Sequence, residues 1–195
     1  MKLILASSSP RRKILLQRLD YPFEIIPSEI EESTLSTNIE PEIYCTKLAK
    51  LKANHISNNY PNALVIGADT IVVIKNQILN KPNNSKEAEY MLSMLSNNTH
   101  QVYTGICLKW MANNITHSFA EITHVTFHPL EQQDISYYIG NYHPYDKAGA
   151  YGIQDRSSIF VKKIEGCYDN VVGFPISRIH LELKKLGINL LDTIS

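Results

Sequence analysis

One residue in this 195-residue chain sits where its type is hardest to accommodate. Asp69 lies inside "ALVIGADTIVVI", residues 63 to 74, a run that is apolar on both sides of it. That pattern reads as a strand buried on both faces. A carboxylate in such a strand is costly unless it is paired or put to use. Its chemistry suits a general base or a metal ligand in a cleft. The plainer alternative is an Asp that caps a turn or pairs with a lysine. Gly67, two residues earlier, allows a bulge or a close approach by another group. Glu31 and Glu32 stand in the loop "EIEES". Clustered loop carboxylates are usually solvated, yet a hard cation such as Mg²⁺ takes one or two carboxylates plus phosphate oxygens, which Glu32 and Asp69 could supply.

Cations gather at other points. "LILASSSPRR", residues 3 to 12, reads as a short buried strand, a serine loop and a helix entered at Pro10, with Ser9 as its N-cap. Free backbone N–H groups at such a helix start make an anion site. Arg11 and Arg12 occupy its first turn, where the helix dipole prefers acidic residues. Either a bound anion compensates them or they are solvated on an exposed face. Lys81 precedes Pro82, which biases it towards extended backbone. The loop "HPYDKAGAYGIQ", residues 143 to 154, combines Asp146, Lys147, backbone freedom at Gly149 and Gly152, and an amide, Gln154, able to read a base edge. It also fits a plain Gly-rich turn. His124 and His128 would share an exposed strand face. The Walker A and G-x-G-x-x-G patterns are absent.

The elements that must carry these groups alternate between helix and strand. Strands are expected at Leu3–Ala6, in "FEIIPS", at Ala63–Ile74, near residues 102–111 and 122–128, and near residues 159–164. Helices are expected after Pro10 with Ile14, Leu15 and Leu19 in register, over residues 41–56, from a cap near Ser85, over residues 131–140, and from Pro175 to Gly187. In the second of these Ile43, Leu48 and Leu51 form the apolar side, with Lys47, Lys50 and Lys52 nearby. Hairpins among the strands favour an α/β protein with a mixed sheet. Nineteen basic residues balance nineteen acidic ones, which argues against a general nucleic-acid or membrane-surface binder. Cys45, Cys107 and Cys167 are odd in number and far apart, as in a reduced, cytoplasmic protein. The first apolar run is too short for a signal peptide, and no segment approaches a membrane span, so the sequons at Asn83, Asn97 and Asn114 carry no meaning.

Taken in order, "LILASSSPRR", the second Glu of "EIEES", "LAKLKA", "IGADT", "NKP", "VYTG", "DKAGAYGIQ" and "NVVGFP" resemble the Maf family of nucleotide pyrophosphatases, from Lys2 to about Gly187. The resemblance implies a single domain over residues 1–195 with an inosine-triphosphatase-like architecture: a long twisted mixed sheet flanked by helices, with a cleft between two lobes. It implies hydrolysis of a nucleoside triphosphate to the monophosphate and pyrophosphate with a divalent cation, Mg²⁺ or Mn²⁺. Asp69 would be the proton acceptor for the attacking water, Glu32 a metal-associated acid, and Asp69, Glu32 and Lys81 the catalytic set. Arg12, Lys52 and Lys81 match phosphate-contacting positions, and Ser7 and Ser9 the phosphate-facing loop. Asp146 and Lys147 join Gln154 as substrate-binding candidates.

"GADT" and "DKAGAYGIQ" look like the branch acting on dTTP and UTP, with Arg11, Thr70 and Gln154 at the positions associated with that choice. Four residues depart from the family pattern: Asp155, Tyr145, Cys167 and Phe174. A negative charge at Asp155, beside the base pocket, would weaken substrate binding. The competing readings are a pyrophosphatase for 7-methyl-GTP or a modified nucleotide, and a regulatory nucleotide-binding protein linked to septum formation. The expected partner is the nucleotide, with no nucleic-acid polymer and no membrane. A homodimer is compatible with the sequence, which does not fix an oligomeric state.

Overall fold

The computed structural model describes residues 1–30 and 37–190. Its strands are β1 (Lys2–Ala6), β2 (Glu24–Ile25), β3 (Ala63–Ile74), β4 (Gln77–Leu79), β5 (Thr99–Trp110), β6 (Ile115–Phe127) and β7 (Val161–Glu165). Its helices are α1 (Pro10–Gln17), α2 (Pro41–Ser57), α3 (Ser85–Leu95), α4 (Gln132–Tyr142), α5 (Tyr168–Val172) and α6 (Ile176–Lys185). The strands form one seven-stranded sheet in the order β2-β1-β3-β5-β6-β7, with β4 paired to β3. β1 runs parallel to β2 and β3, whereas β3–β4 and β6–β7 are antiparallel. The mixed, helix-flanked sheet expected from the sequence is therefore what forms. The described chain divides into two compact units, and β3, β5 and β6 each contribute residues to both.

The first unit comprises Met1–Asp69, Thr104–Glu121 and Gly173–Ser195. Its core joins Ile4 and Ala6 of β1, Ala63 and Val65 of β3, Cys107 of β5, and Ala49, Ala53 and Ile56 of α2. α2 lies unusually close to the sheet. A Cβ at Gly67 would fall on the backbone of Ala49 and Ala53, so only glycine admits this contact. The apolar side expected for α2 is corrected accordingly. Ile43 and Leu51 are exposed, and the inward face carries Tyr44, Cys45, Leu48, Ala49, Lys52, Ala53 and Ile56. Small residues at fourfold spacing let the helix approach, and hydropathy patterning gives them too little weight. α1 ends at Gln17 and buries Leu15 and Leu16, leaving Ile14 exposed and Leu19 beyond the helix. α6 stops as expected at Gly187, whose φ is +73° and whose N–H caps the Lys184 carbonyl at 3.0 Å.

The second unit comprises Thr70–Tyr103 and Ile122–Val172. α3 begins at Ser85 and is capped by the adjacent Asn84, whose side chain accepts the Glu87 N–H at 3.0 Å. The Glu87 carboxylate in turn accepts the Asn83 N–H at 2.9 Å, a reciprocal cap. α3 packs on α4. An aromatic core of Phe127, Tyr151, Phe160, Tyr138 and His100 fills the unit, in mostly edge-to-face contacts. The strand expected from residue 159 begins at Val161, because residues 156–160 form a 3₁₀ turn. No helix among the described residues is long and apolar enough to cross a membrane.

Candidate functional site

The candidate residues fall into two groups, one in each unit. In the first, β1 delivers the serine loop to the start of α1. Ser9 occupies the N-cap position, but its side chain makes no cap bond. Its N–H instead donates to Ser7 Oγ at 3.2 Å, and Ser7 is buried. Arg12 is half-buried and is held by three oxygens of the protein. Its Nε donates to the Gly173 carbonyl at 2.9 Å. Its Nη1 donates to Ser7 Oγ at 3.1 Å and to the Ala68 carbonyl at 3.0 Å. Protein oxygens thus meet the cation. Arg11, beside it, is half-buried.

Asp69 closes the first unit's share of β3 and is 6 % exposed. Lys52, on the inward face of α2, is 7 % exposed, and its Nζ lies 2.6 Å from Asp69 Oδ1. Asp69 is therefore a paired carboxylate, and Lys52 is the partner. The pair satisfies both charges while holding one carboxylate oxygen in a fixed place. Its negative field reaches Cys45, whose thiol is pushed up to about 12, first by burial and then by the Asp69 charge. This thiol is inert as a nucleophile.

The two candidate acids differ in what the structure says of them. Glu32, with Glu31, lies outside the described residues. Among the described residues no cluster of three or more His, Cys, Asp or Glu could hold an ion. Asp69 by itself suits a hard cation such as Mg²⁺ that draws its remaining oxygens from water and phosphates.

In the second unit, Thr70 follows Asp69 in β3 and is half-buried. Lys81 is exposed just past β4. The segment 143–154 folds as consecutive tight turns. Gly149 has φ +66°, its N–H donates to the Asn80 carbonyl at 3.2 Å, and an added Cβ would strike Val72. The loop is thereby fastened to the residue preceding Lys81. The Lys147 ammonium meets Asp146 at 2.7 Å. Gln154 is exposed.

Asp155, the departure that raised most concern, is engaged in the fold. Its carboxylate accepts the Ser157 N–H at 2.9 Å, which caps the 3₁₀ turn, and the Tyr138 hydroxyl at 3.0 and 3.1 Å. The same hydroxyl accepts the Gly152 N–H at 3.2 Å. Tyr145 is exposed beside His143. Cys167 is a free thiol whose backbone N–H and carbonyl both bond the buried Thr123 hydroxyl at 3.0 Å. Phe174 is fully buried. Sequence reasoning missed this Thr123 contact and the use of Gly173 as an acceptor. Both depend on contacts between distant segments, although "NVVGFP" did mark the second.

The family model for Maf-like proteins matches residues 2–186. A curated relative from Carboxydothermus hydrogenoformans, named dTTP/UTP pyrophosphatase, is 44% identical over 187 residues, covering 96% of this chain and 100% of its own. One of the same name from Bacillus anthracis is 48% identical over 189 residues, covering 97% of each chain. Among solved structures, a HAM1 protein from Coxiella burnetii aligns with a TM-score of 0.50 at 13% identity, covering 95% of this chain and 99% of that one. At that identity the likeness concerns the fold alone.

Proposed function

The chain belongs to the Maf family, and from that premise we propose that it hydrolyses dTTP and UTP to the nucleoside monophosphate and pyrophosphate. The observation that carries the mechanism is the buried Asp69, held by Lys52 at 2.6 Å inside an otherwise apolar strand. Asp69 accepts a proton from a water whose oxygen attacks the α-phosphorus. The α–β bridging bond breaks, and its electrons leave with pyrophosphate. Lys52 holds one carboxylate oxygen in place. Arg11, Lys81, Lys147 and the first N–H groups of α1 offer positive charge to the phosphate chain. A bound Mg²⁺ or Mn²⁺, held by Asp69 and Glu32, would supply Lewis-acid polarisation of a phosphoryl oxygen. Arg11, Thr70 and Gln154 select the pyrimidine.

The test is a nucleotide panel that includes dTTP, UTP and 7-methyl-GTP, assayed with Mg²⁺ or Mn²⁺ and with isotope-labelled substrate to show which bond breaks. The expected result is pyrophosphate as the first product, with dTTP and UTP preferred. Orthophosphate as the first product, or turnover confined to 7-methyl-GTP, would overturn the reading.

A further inference from the structure

The geometry points to Arg12 as the residue that positions Asp69, a role that rests on Asp69 being the base proposed above. The guanidinium reaches three separate pieces of chain at once: Ser7 in the loop after β1, Ala68 in β3, and Gly173 ahead of α6. The Ala68 carbonyl belongs to the residue directly before Asp69. Arg12 therefore fixes the backbone that carries the base, while Lys52 fixes the carboxylate from α2. With both ends held, one orientation of the base remains.

The arrangement also accounts for a cation in the first turn of α1, where the helix dipole opposes it. Two carbonyl dipoles and a hydroxyl oxygen face the charge and offset the helix dipole. Only arginine suits this place. Its planar fork sends Nε to Gly173 and Nη1 to Ser7 and Ala68 along fixed lines, whereas a lysine ammonium donates from one freely rotating nitrogen and does not hold that geometry. The role of "GFP" at residues 173–175 follows as well: it presents the third carbonyl.

Steady-state kinetics of Arg12→Lys on dTTP, with inorganic triphosphate as a competitive probe of phosphate-chain binding, separates positioning from phosphate contact. Turnover is referred to folded protein by thermal melting. The expected result is a kcat lowered by about 10²-fold, the scale of an ångström-sized misplacement. KM for dTTP and the triphosphate inhibition constant should both stay within about threefold of the parent values. Unchanged kcat, or a loss confined to KM and triphosphate affinity, would overturn the proposal. Ser7→Ala removes one acceptor and is the mild variant should Arg12→Lys not fold. It should lower kcat by about 10-fold with KM retained, and an unchanged kcat counts against positioning. Asp69→Asn is run in parallel. If it retains turnover, the base assignment itself fails and positioning falls with it. If it is inactive while Arg12→Lys behaves as the parent, only the positioning role is lost.

Discussion

Asp69 and Lys52 govern the residue scale. Asp69→Asn keeps the shape of the side chain and removes its basicity, so turnover is expected to fall by about 10²–10⁴-fold. The same change takes away the charge that faces Lys52, and breaking a buried pair from one side costs on the order of 3–5 kcal/mol. The melting temperature should therefore fall together with activity. The sequence alone leaves the sign open, because neutralising an uncompensated carboxylate favours the fold whereas taking it from a lysine partner destabilises it. What the sequence does not reveal is which lysine faces Asp69: it is Lys52, 17 residues away on another element. Activity per folded molecule is the deciding quantity: near-parent turnover would remove Asp69 from the mechanism. Gln154, exposed on its loop, is tested by selectivity. Gln154→Ala should reduce turnover of dTTP several-fold, the worth of roughly one neutral hydrogen bond, and leave hydrolysis of inorganic triphosphate unchanged. An equal loss on both substrates would make Gln154 structural.

At the scale of elements, the strands and helices with long, unmixed signals were legible. β3 stands out as twelve residues of which all but Thr70 are buried, and α3 and α6 carry caps and stop signals close to where the sequence places them. The short elements were not legible. β4 has three residues and α5 has five, too few to show any periodicity. The facing of α2 was misjudged because its contact surface is built from Cys45, Ala49 and Ala53, not from its larger aliphatic residues. That close seat gives a prediction. In Gly67→Ala the new Cβ meets the backbone of Ala49 and Ala53, so α2 must lift from the sheet at a cost of about 1–3 kcal/mol. Lys52 rides on that helix, so turnover should drop as well as melting temperature, although position 67 touches no substrate group in the proposed mechanism. A variant with parent-like stability and turnover would show that the helix can yield without cost.

On the scale of the whole molecule, eight short stretches in order identified the family across almost the full length over which the family model matches, residues 2–186. What stayed hidden are two buried polar groups that contribute to the response to acid, one in each unit. His100 is enclosed by Phe127 and Tyr151, with Nε2 2.8 Å from the Tyr151 hydroxyl, and burial lowers its pKa from 6.5 to about 3. Glu182 accepts hydrogen bonds from Lys185, Arg178 and His117, and those contacts, with that of Lys185 foremost, hold its carboxyl near 2 in spite of burial. The signs agree. Between pH 6.5 and 3 the unfolded chain binds a proton at His100 that the folded chain does not, so stability falls as pH falls. Glu182 adds its own loss from about pH 4.5 down towards 2, where the folded carboxylate finally protonates. The formal net charge is zero at pH 7, so overall repulsion contributes little near neutrality, and the individual groups dominate. Urea unfolding across pH should show stability declining at up to about 1.4 kcal/mol per pH unit for each group in its window. His100→Gln should flatten the decline between about pH 6.5 and 4.5. Glu182→Gln should be less stable than the parent at neutral pH, with the difference closing as pH approaches 2. If His100→Gln keeps the parent slope above about pH 4.5, the histidine is protonated in the folded protein and its burial does not control the acid response.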